Sequence, residues 1–433
     1  MAKSRLSEKT LIYQVWPISF IEPQFRGDNR SALKKISDFL PNLSRLDIDY
    51  LWLSPIYLSP WLDHGYDVAN YLEIDPRFGN LEEFKSLVKT AKSHNVKVMM
   101  DLVLNHTSIL HPWFKRYPER YCWGKSNHSE WSNLFDGGSS WEFSEDRGEF
   151  YLHLFDKSQP DLNWYPNGPT GNPNPVLVQE FQSIANFWLN QGVSGFRLDA
   201  TQVINKDAKS DHFNPIETTT KYANLATRVI SAIFDEPREN TYLLVECLNL
   251  SGDMIKFYYN HAPVNAVMDN TPINTVIVTT DQLVAESGLD RYISAIKKSA
   301  ESCPEGYAHV TESHDGPRFT SAANLSGKDA IDVLFGLHRG ERFCSPNTII
   351  VYQGQELGLQ NPTREELSDK QMLSLDRQAR LRYAHGESLE DLRPTSRANA
   401  RIPFHMEEYH RQESDMSSCL HYFRKSVKFW RKV

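Results

Sequence analysis

The chain is poor in cysteine. Its 433 residues include five, Cys122, Cys247, Cys303, Cys344 and Cys419. No C-x-x-C pair occurs among them, so neither a zinc site nor a disulfide framework is indicated. The expectation is free, buried thiols in a reducing compartment. Long apolar runs are missing as well. No stretch approaches the ~18 consecutive apolar residues of a membrane-crossing helix. The N-terminal MAKSRLSEKTLIYQVW lacks an apolar core of signal-peptide length. These absences predict a cytoplasmic protein with no membrane partner. A basic excess is lacking too: 47 Lys and Arg against 55 Asp and Glu leave a net charge of -8, with no basic stripe, which excludes a nucleic-acid partner. What is present is 40% hydrophobic residues and 24% charged residues of mixed sign, a composition that fills a large core and does not stay disordered.

Short apolar runs alternate with longer segments of helical spacing. The strand-like runs are LIYQVW (11–16), DYLWLSP (49–55), VKVMMDLVL (96–104), VSGFRLDA (193–200), TYLLVEC (241–247), NAVMDN (265–270), YAHVTES (307–313) and NTIIVYQ (347–353). Between them, LEEFKSLVKTAKSHN (81–95) is apolar at 81, 84, 87, 88 and 91, and VLVQEFQSIANFWLNQG (176–192) ends at a glycine. Repeated strand–helix units of this kind predict an α/β fold, and eight of them a closed (β/α)8 barrel. SSCLHYFRKSVKFWRKV (417–433) reads as the last barrel helix.

Two connections break the rhythm. Residues 105–175 are rich in Trp, Tyr, Gly, Asn, Ser and Pro, too long for a simple loop, and predict a small inserted lobe after the third strand. The barrel then comprises 1–104 and 176–433. A second long connection runs from Gly354 to about Arg411, after the eighth strand. Both leave from the barrel rim where active sites sit.

Polar residues stand at the ends of several apolar strands. Asp101 closes VMM, with Asn105 and His106 just beyond; Asp199 ends GFRL; Glu246 ends YLLV; His314 and Asp315 follow the seventh strand. A carboxylate at the end of a buried strand is costly without a use, and several converging on one rim point to a site. Two carboxylates are what glycosidic cleavage requires, one as proton donor and one facing the anomeric carbon.

The ordered set LIYQVWPISF, HGYDVANYLEIDPRFGNLEEF, DLVLNH, YLHLFDKSQPDLNW, GFRLDA, LLVECL, SHDGPR and VYQGQELG resembles the α-amylase superfamily (glycoside hydrolase family 13), most closely its α-glucosidases and oligo-1,6-glucosidases. The likeness spans nearly the whole chain. It implies a retaining, exo-acting α-glucosidase with Asp199 as nucleophile, Glu246 as acid/base of raised pKa, and Asp315 stabilising the transition state. It further implies that Arg197 orients Asp199, that His106 and His314 contact the same glucose, and that Tyr66 stacks on it. Asp67 is expected to pair with Arg401 of NARIPF and close the non-reducing end. Asp101 is read as structural, and tryptophans 61, 113, 123, 131, 141 and 164 as faces for sugar rings.

The chain departs from the family pattern in places. The first-strand loop IEPQFRGDNRSALKKI (21–36) carries only Glu22 and Asp28 as acids, too few carboxylates for calcium, so no metal and no cofactor are expected. Ala200 follows the nucleophile, where a valine accompanies α-1,6 preference and smaller residues α-1,4 activity. TES stands before His314 in place of the common Asn-containing form, and SHDG is similar to phosphorylases acting on sucrose-like glucosides, which gives the alternative of a transglucosidase or a sucrose-type phosphorylase. A third reading, a silent relative such as a transporter heavy chain, fits poorly with the retained carboxylates. Relatives usually continue into a β-rich C-terminal domain; here it is expected either to be absent or to lie on a longer chain of which this is a fragment, and the uncovered barrel face is expected to be apolar and prone to self-association. The oligomeric state is not expected to be readable from sequence.

Overall fold

The computed structural model describes residues 9–21, 30–127, 130–208, 210, 223–234, 241–247, 250, 252–270, 289–290, 292–294, 296 and 304–432. Eight strands form a closed barrel: β1 (Thr10–Val15), β2 (Tyr50–Leu53), β3 (Lys97–Val103), β4 (Gly195–Asp199), β5 (Tyr242–Cys247), β6 (Ala266–Asp269), β7 (Tyr307–Val310) and β8 (Thr348–Tyr352). Each pairs in parallel with its chain neighbours, and β8 returns to β1 through Thr10↔Thr348 and Leu11↔Ile349. All eight coincide with the apolar runs read from the sequence. Strands buried on both faces have no polar alternation to show, so they appear as continuous apolar segments.

Side chains fill the barrel interior. Ile12, Trp52, Met99, Leu244, Met268, Val310 and Ile350 belong to one inner cluster, each at 1% exposure or less. Gly195 is required for closure: a Cβ there would lie 2.6 Å from the Tyr242 carbonyl oxygen. Helices pack outside. Leu81–Ser93 is started by a capping box between Asn80 and Glu83 and buries Phe84, Leu87 and Ala91. Pro175–Asn190 buries Leu177, Phe181, Ile184 and Trp188, and Cys419–Lys432 buries Leu420, Phe423, Val427 and Trp430. Among the described residues no helix is long and apolar enough to cross a membrane.

The insertion after β3 carries a three-stranded antiparallel sheet of Trp123–Gly124, Glu149–Leu152 and Trp141–Ser144. It has a small core of its own in which Trp131 and Trp141 meet edge to face at 6.0 Å. The segment after β8 folds into short helices, among them Asp369–Leu375, Arg377–Ala384 and Leu389–Thr395, around Leu367, Met372, Ala379, Leu392, Ala398 and Ile402. A shorter excursion after β2, pairing Tyr57–Leu58 with Asn70–Ile74, is not legible in the sequence.

One expectation is corrected. Cys344 is disulfide-bonded, with a partner outside the described residues, whereas Cys122, Cys247 and Cys419 are free. A cystine joining segments far apart leaves no short spacing motif, so the rule based on C-x-x-C pairs misses it. The argument for a reducing compartment, which rested on unpaired thiols, loses that support.

Behind the β8 end, Glu356 is fully buried. It accepts from the Tyr13 hydroxyl at 2.8 Å and from the Gly354 amide at 2.9 Å. Burial pushes its carboxyl up to about 7, against those hydrogen bonds. The folded protein therefore binds a proton that the unfolded chain has released, so this group's contribution to stability is lost as pH rises through about 7. Glu356→Gln removes that loss. The variant should gain on the wild type by up to ~3 kcal/mol between about pH 5 and about pH 8. Thermal or urea melts of both proteins measure this, and a difference that does not change with pH rejects it.

Candidate active site

Side chains two apart on a strand share a face. Met99, Leu244 and Met268 point into the inner cluster. The next residues on those faces, toward the C-terminal rim, are Asp101, Glu246 and Asn270. On β4 the same period sets Gly195, Arg197 and Asp199 in one column. The apolar plug thus ends in a polar layer, and its centre is one guanidinium.

Arg197 is 1% exposed and reaches three carboxylates. Its Nη1 donates to Asp101 Oδ1 at 2.6 Å and also to Asp199 Oδ1. Its Nη2 stands 2.6 Å from Glu246 Oε2. Glu246 further accepts from the Ala200 amide at 2.9 Å and from Asn270 Nδ2 at 2.6 Å. One cation cannot neutralise three carboxylates. Burial first, then the charges of Glu246 and Asp101, raise the Asp199 carboxyl against the pull of Arg197. Burial likewise pushes Asp101 up to about 6, opposed by Arg197 and by the Trp52 indole that donates to it at 2.8 Å. Ala200, directly after Asp199, has φ 41°, a left-handed conformation uncommon for a residue with a Cβ. It aims the Ala200 amide at Glu246.

A second layer surrounds His314, whose ring lies between Trp16 at 5.0 Å and Tyr66 at 5.3 Å. Gln14 Nε2 donates to His314 Nδ1 at 2.8 Å, leaving the ring proton on Nε2. That atom faces the Tyr66 hydroxyl at 2.8 Å and Asp315 Oδ2 at 3.1 Å. Burial lowers His314 to about 3, so the ring is neutral at neutral pH. Burial acts to raise Asp315, but His314, Arg397 and Arg401 hold it well below the usual carboxylate range. His106, also lowered by burial to about 3, meets Gln159 Nε2 at 3.0 Å, and the same amide donates to Asp63 Oδ2 at 2.9 Å.

These groups border a cavity of about 430 Å³ lined by Asp63, Tyr66, His106, Asp199, Glu246, Asn270 and Asp315 on the inner side. Leu134, Phe135 and Phe155 of the insertion and Gln378, Arg382 and Arg397 of the segment after β8 form the outer side. Five sequence-predicted residues thus line it: Tyr66, His106, Asp199, Glu246 and Asp315. Arg197, His314 and Arg401 stand behind them at 1%, 1% and 3% exposure. The expected Asp67–Arg401 pair is not formed. Asp67 is occupied by Ser59 Oγ at 2.8 Å, Leu62 N at 2.8 Å and Asp63 N at 3.1 Å, which knit the loop after β2. Arg401 instead reaches Asp315 at 3.2 Å and the His314 carbonyl at 2.9 Å. The acid that faces the cavity from HGYD's loop is Asp63, which sequence reasoning missed. Asn270 was missed too, although it ends a predicted strand as Glu246 does. The side-chain oxygens of Asn270 and of Gln202, which also lines the cavity, have no partner and are buried; they suit hydroxyl donors. None of the six tryptophans proposed as sugar faces lines this cavity. Trp131, Trp141 and Trp164 are consumed in packing, and Phe135 and Phe155 stand in their place.

The α-amylase catalytic-domain family matches residues 14–422. The chain belongs to the α-amylase family. It is a glycoside hydrolase of that family. It is 29% identical over 435 residues to the trehalose-6-phosphate hydrolase of Escherichia coli, covering 91% of this chain and 74% of the relative. It is 28% identical over 445 residues to the oligo-1,6-glucosidase of Parageobacillus thermoglucosidasius, covering 93% and 75%. In fold it is similar to the isomaltulose synthase of Klebsiella sp. LX3, with a TM-score of 0.78 and 24% identity over 99% of this chain and 84% of that one.

Two features of this α-amylase family member concern ions. Among the described residues no three His, Cys, Asp or Glu side chains are grouped to hold a metal. Of the loop on which the calcium expectation rests, residues 22–29, with both its acids Glu22 and Asp28, lie outside the described residues. Where the insertion meets the barrel, a buried cation is supplied by the chain itself. Lys206 Nζ stands 3.0 Å from Asp161 Oδ2 and donates to Asn105 Oδ1 at 2.6 Å, and Asn105 Nδ2 donates to Asp161 Oδ1 at 3.0 Å. Asp161 is 0% and Lys206 5% exposed. Lys206→Met leaves Asp161 buried and unpaired. We expect it to cost ~3–5 kcal/mol of stability, read by urea unfolding; an unchanged midpoint contradicts this role.

Proposed function

We propose that the protein is a retaining, exo-acting α-glucosidase that releases glucose from short α-glucosides through a glucosyl-enzyme on Asp199. The observation that carries this reading is that one guanidinium holds both carboxylates, Asp199 on Nη1 and Glu246 on Nη2. Holding both carboxylates on one cation supports the close spacing of a retaining pair, ~5–5.5 Å, over one that admits a water between them.

In the first step the Glu246 carboxylic acid gives its proton to the glycosidic oxygen. The bond from that oxygen to the anomeric carbon breaks, and Asp199 forms an ester to the carbon. In the second step Glu246, now a carboxylate, takes a proton from water whose oxygen displaces Asp199. Two inversions return the α-configuration. Arg197 keeps Asp199 oriented and favours its ionised form. Asp315, held as a carboxylate by its cationic surroundings, accepts sugar hydroxyls and faces the positive charge that develops on the ring. His106 and His314 are neutral and place no cation beside the sugar; His106 borders the cavity, while His314 stands behind it against Tyr66 and Asp315. Tyr66 offers its face to the ring.

The cavity is walled at the Asp63–His106 side and bordered by the insertion and the segment after β8. This supports removal of one terminal glucose at a time. Relatives named for α-1,6-linked and trehalose-type substrates make isomaltose and trehalose derivatives part of the test. A screen of maltose, isomaltose, sucrose, trehalose and p-nitrophenyl α-glucoside, with and without phosphate, should show glucose as the main product. Glucose 1-phosphate formed in phosphate, or a second sugar glucosylated in preference to water, would instead establish transfer. Asp199→Asn and Glu246→Gln should each lower kcat on maltose or isomaltose by at least about a thousandfold. Wild-type turnover in either variant rejects the mechanism.

A further inference from the structure

The segment after β8 and the insertion are joined directly behind the sugar-facing end of the cavity. Arg377, the first residue of the helix Arg377–Ala384, contacts Asp156 of the insertion. Its Nε is 2.8 Å and its Nη2 2.7 Å from Asp156 Oδ2, with side chains 15% and 6% exposed. The other oxygen of Asp156 accepts from the Ser158 amide at 2.8 Å and hydroxyl at 2.6 Å. Asp156 also opens a tight turn: the Gln159 amide donates to the Asp156 carbonyl at 2.7 Å, and the Asp156 amide to Gln159 Oε1 at 3.2 Å. That last bond fixes which way the Gln159 amide points. Its nitrogen is left to Asp63 Oδ2 and His106 Nε2, at 2.9 and 3.0 Å. The next helix residue adds a second link, Gln378 Nε2 donating to the Phe135 carbonyl at 3.0 Å.

We propose that Arg377 is a positioning residue for glucose recognition. It acts through Asp156 and the 156–159 turn on Gln159, which sets the spacing of Asp63 and His106 on the cavity wall. Neither Arg377 nor Asp156 lines the cavity. Their influence passes through a chain of directed hydrogen bonds in which each acceptor is already assigned. With Arg377 removed, Asp156 keeps only its local turn bonds and the insertion loses its ionic tie to the segment after β8, so the turn that orients Gln159 is no longer anchored against the cavity wall. Asp63 and His106 read the glucose ring but do not break the bond, so the loss falls on binding of the terminal glucose more than on chemistry.

This inference rests on the α-glucosidase reading, and the two fail separately. For Arg377→Ala with p-nitrophenyl α-glucoside, we expect KM to rise about 5- to 30-fold with kcat within about twofold. The inhibition constant of glucose, a probe of the terminal pocket alone, should rise by a similar factor. Asp156→Asn, which keeps an oxygen for the Ser158 bonds but not the ion pair, should raise the same two constants; a residue needed only for folding would lower active protein and leave KM and the glucose constant in place. Should Arg377→Ala not fold, Arg377→Lys, which keeps the charge but not the two-nitrogen contact, should show a smaller rise in the same two constants. Unchanged constants in the folded variant, or a fall in kcat at constant KM, overturn the proposal. A wild type that releases no glucose from any substrate of the screen overturns the functional reading instead.

Discussion

The site depends on one buried guanidinium. Arg197 sits on the floor of the catalytic pocket, above a plug of apolar side chains, and bonds Asp101, Asp199 and Glu246 together. Without it three carboxylates would face one another across a dry barrel mouth, and mutual repulsion with desolvation would drive them apart or keep all of them protonated. With it Asp199 and Glu246 border one cavity with Asp101 buried behind them, and the carboxylates outnumber the cation's charge. That excess is useful in the proposed cycle, because the cleft must hold one proton for the leaving oxygen while presenting one anion to the anomeric carbon. The glycine beneath Arg197 belongs to the same constraint, since Gly195 lets β4 approach β5 closely enough for the three carboxylates to converge.

Around this centre the protein separates polar roles by supporting residues. Gln14 fixes the tautomer of His314, Trp16 and Tyr66 hold its ring, and Arg401 and Arg397 keep Asp315 ionised. Lys206 binds the insertion to the barrel, and Arg377 binds the insertion to the segment after β8. The two rim structures are thereby docked on opposite flanks of the same cavity. The apolar cluster of the insertion extends onto Ala200 and Val203 after β4 and is separate from the one in the segment after β8, so these directed contacts supply polar ties between the two.

The barrel was legible because its strands are apolar on both faces, and the carboxylates proposed as catalytic because each ends such a strand. Tyr66, His106 and Asp315 came from resemblance and face the cavity. What could not be read lies in loops, where direction depends on turns. HGYD and its neighbour hold two acids four residues apart. Gly65, at φ 104°, bends the chain between them so that Asp63 faces the cavity and Asp67 ties the loop. Nothing in the local pattern distinguishes the two. Lys206 has no signal at all, since a lysine in the polar run NKDAKSD (205–211) reads as surface. The lobe tryptophans misled for the opposite reason: they are large enough to be the core of a lobe that has little else to bury. Cys344 escaped because it belongs to no C-x-x-C pair.

The stereochemistry of the first product tests the central claim most directly. Proton NMR during early hydrolysis of p-nitrophenyl α-glucoside separates the two anomers of released glucose before they interconvert. Attack by Asp199 at the short separation set by Arg197 requires α-glucose to appear first and the β-anomer only as mutarotation proceeds. Initial release of β-glucose would mean that water attacks directly, and the covalent role assigned to Asp199 would be wrong.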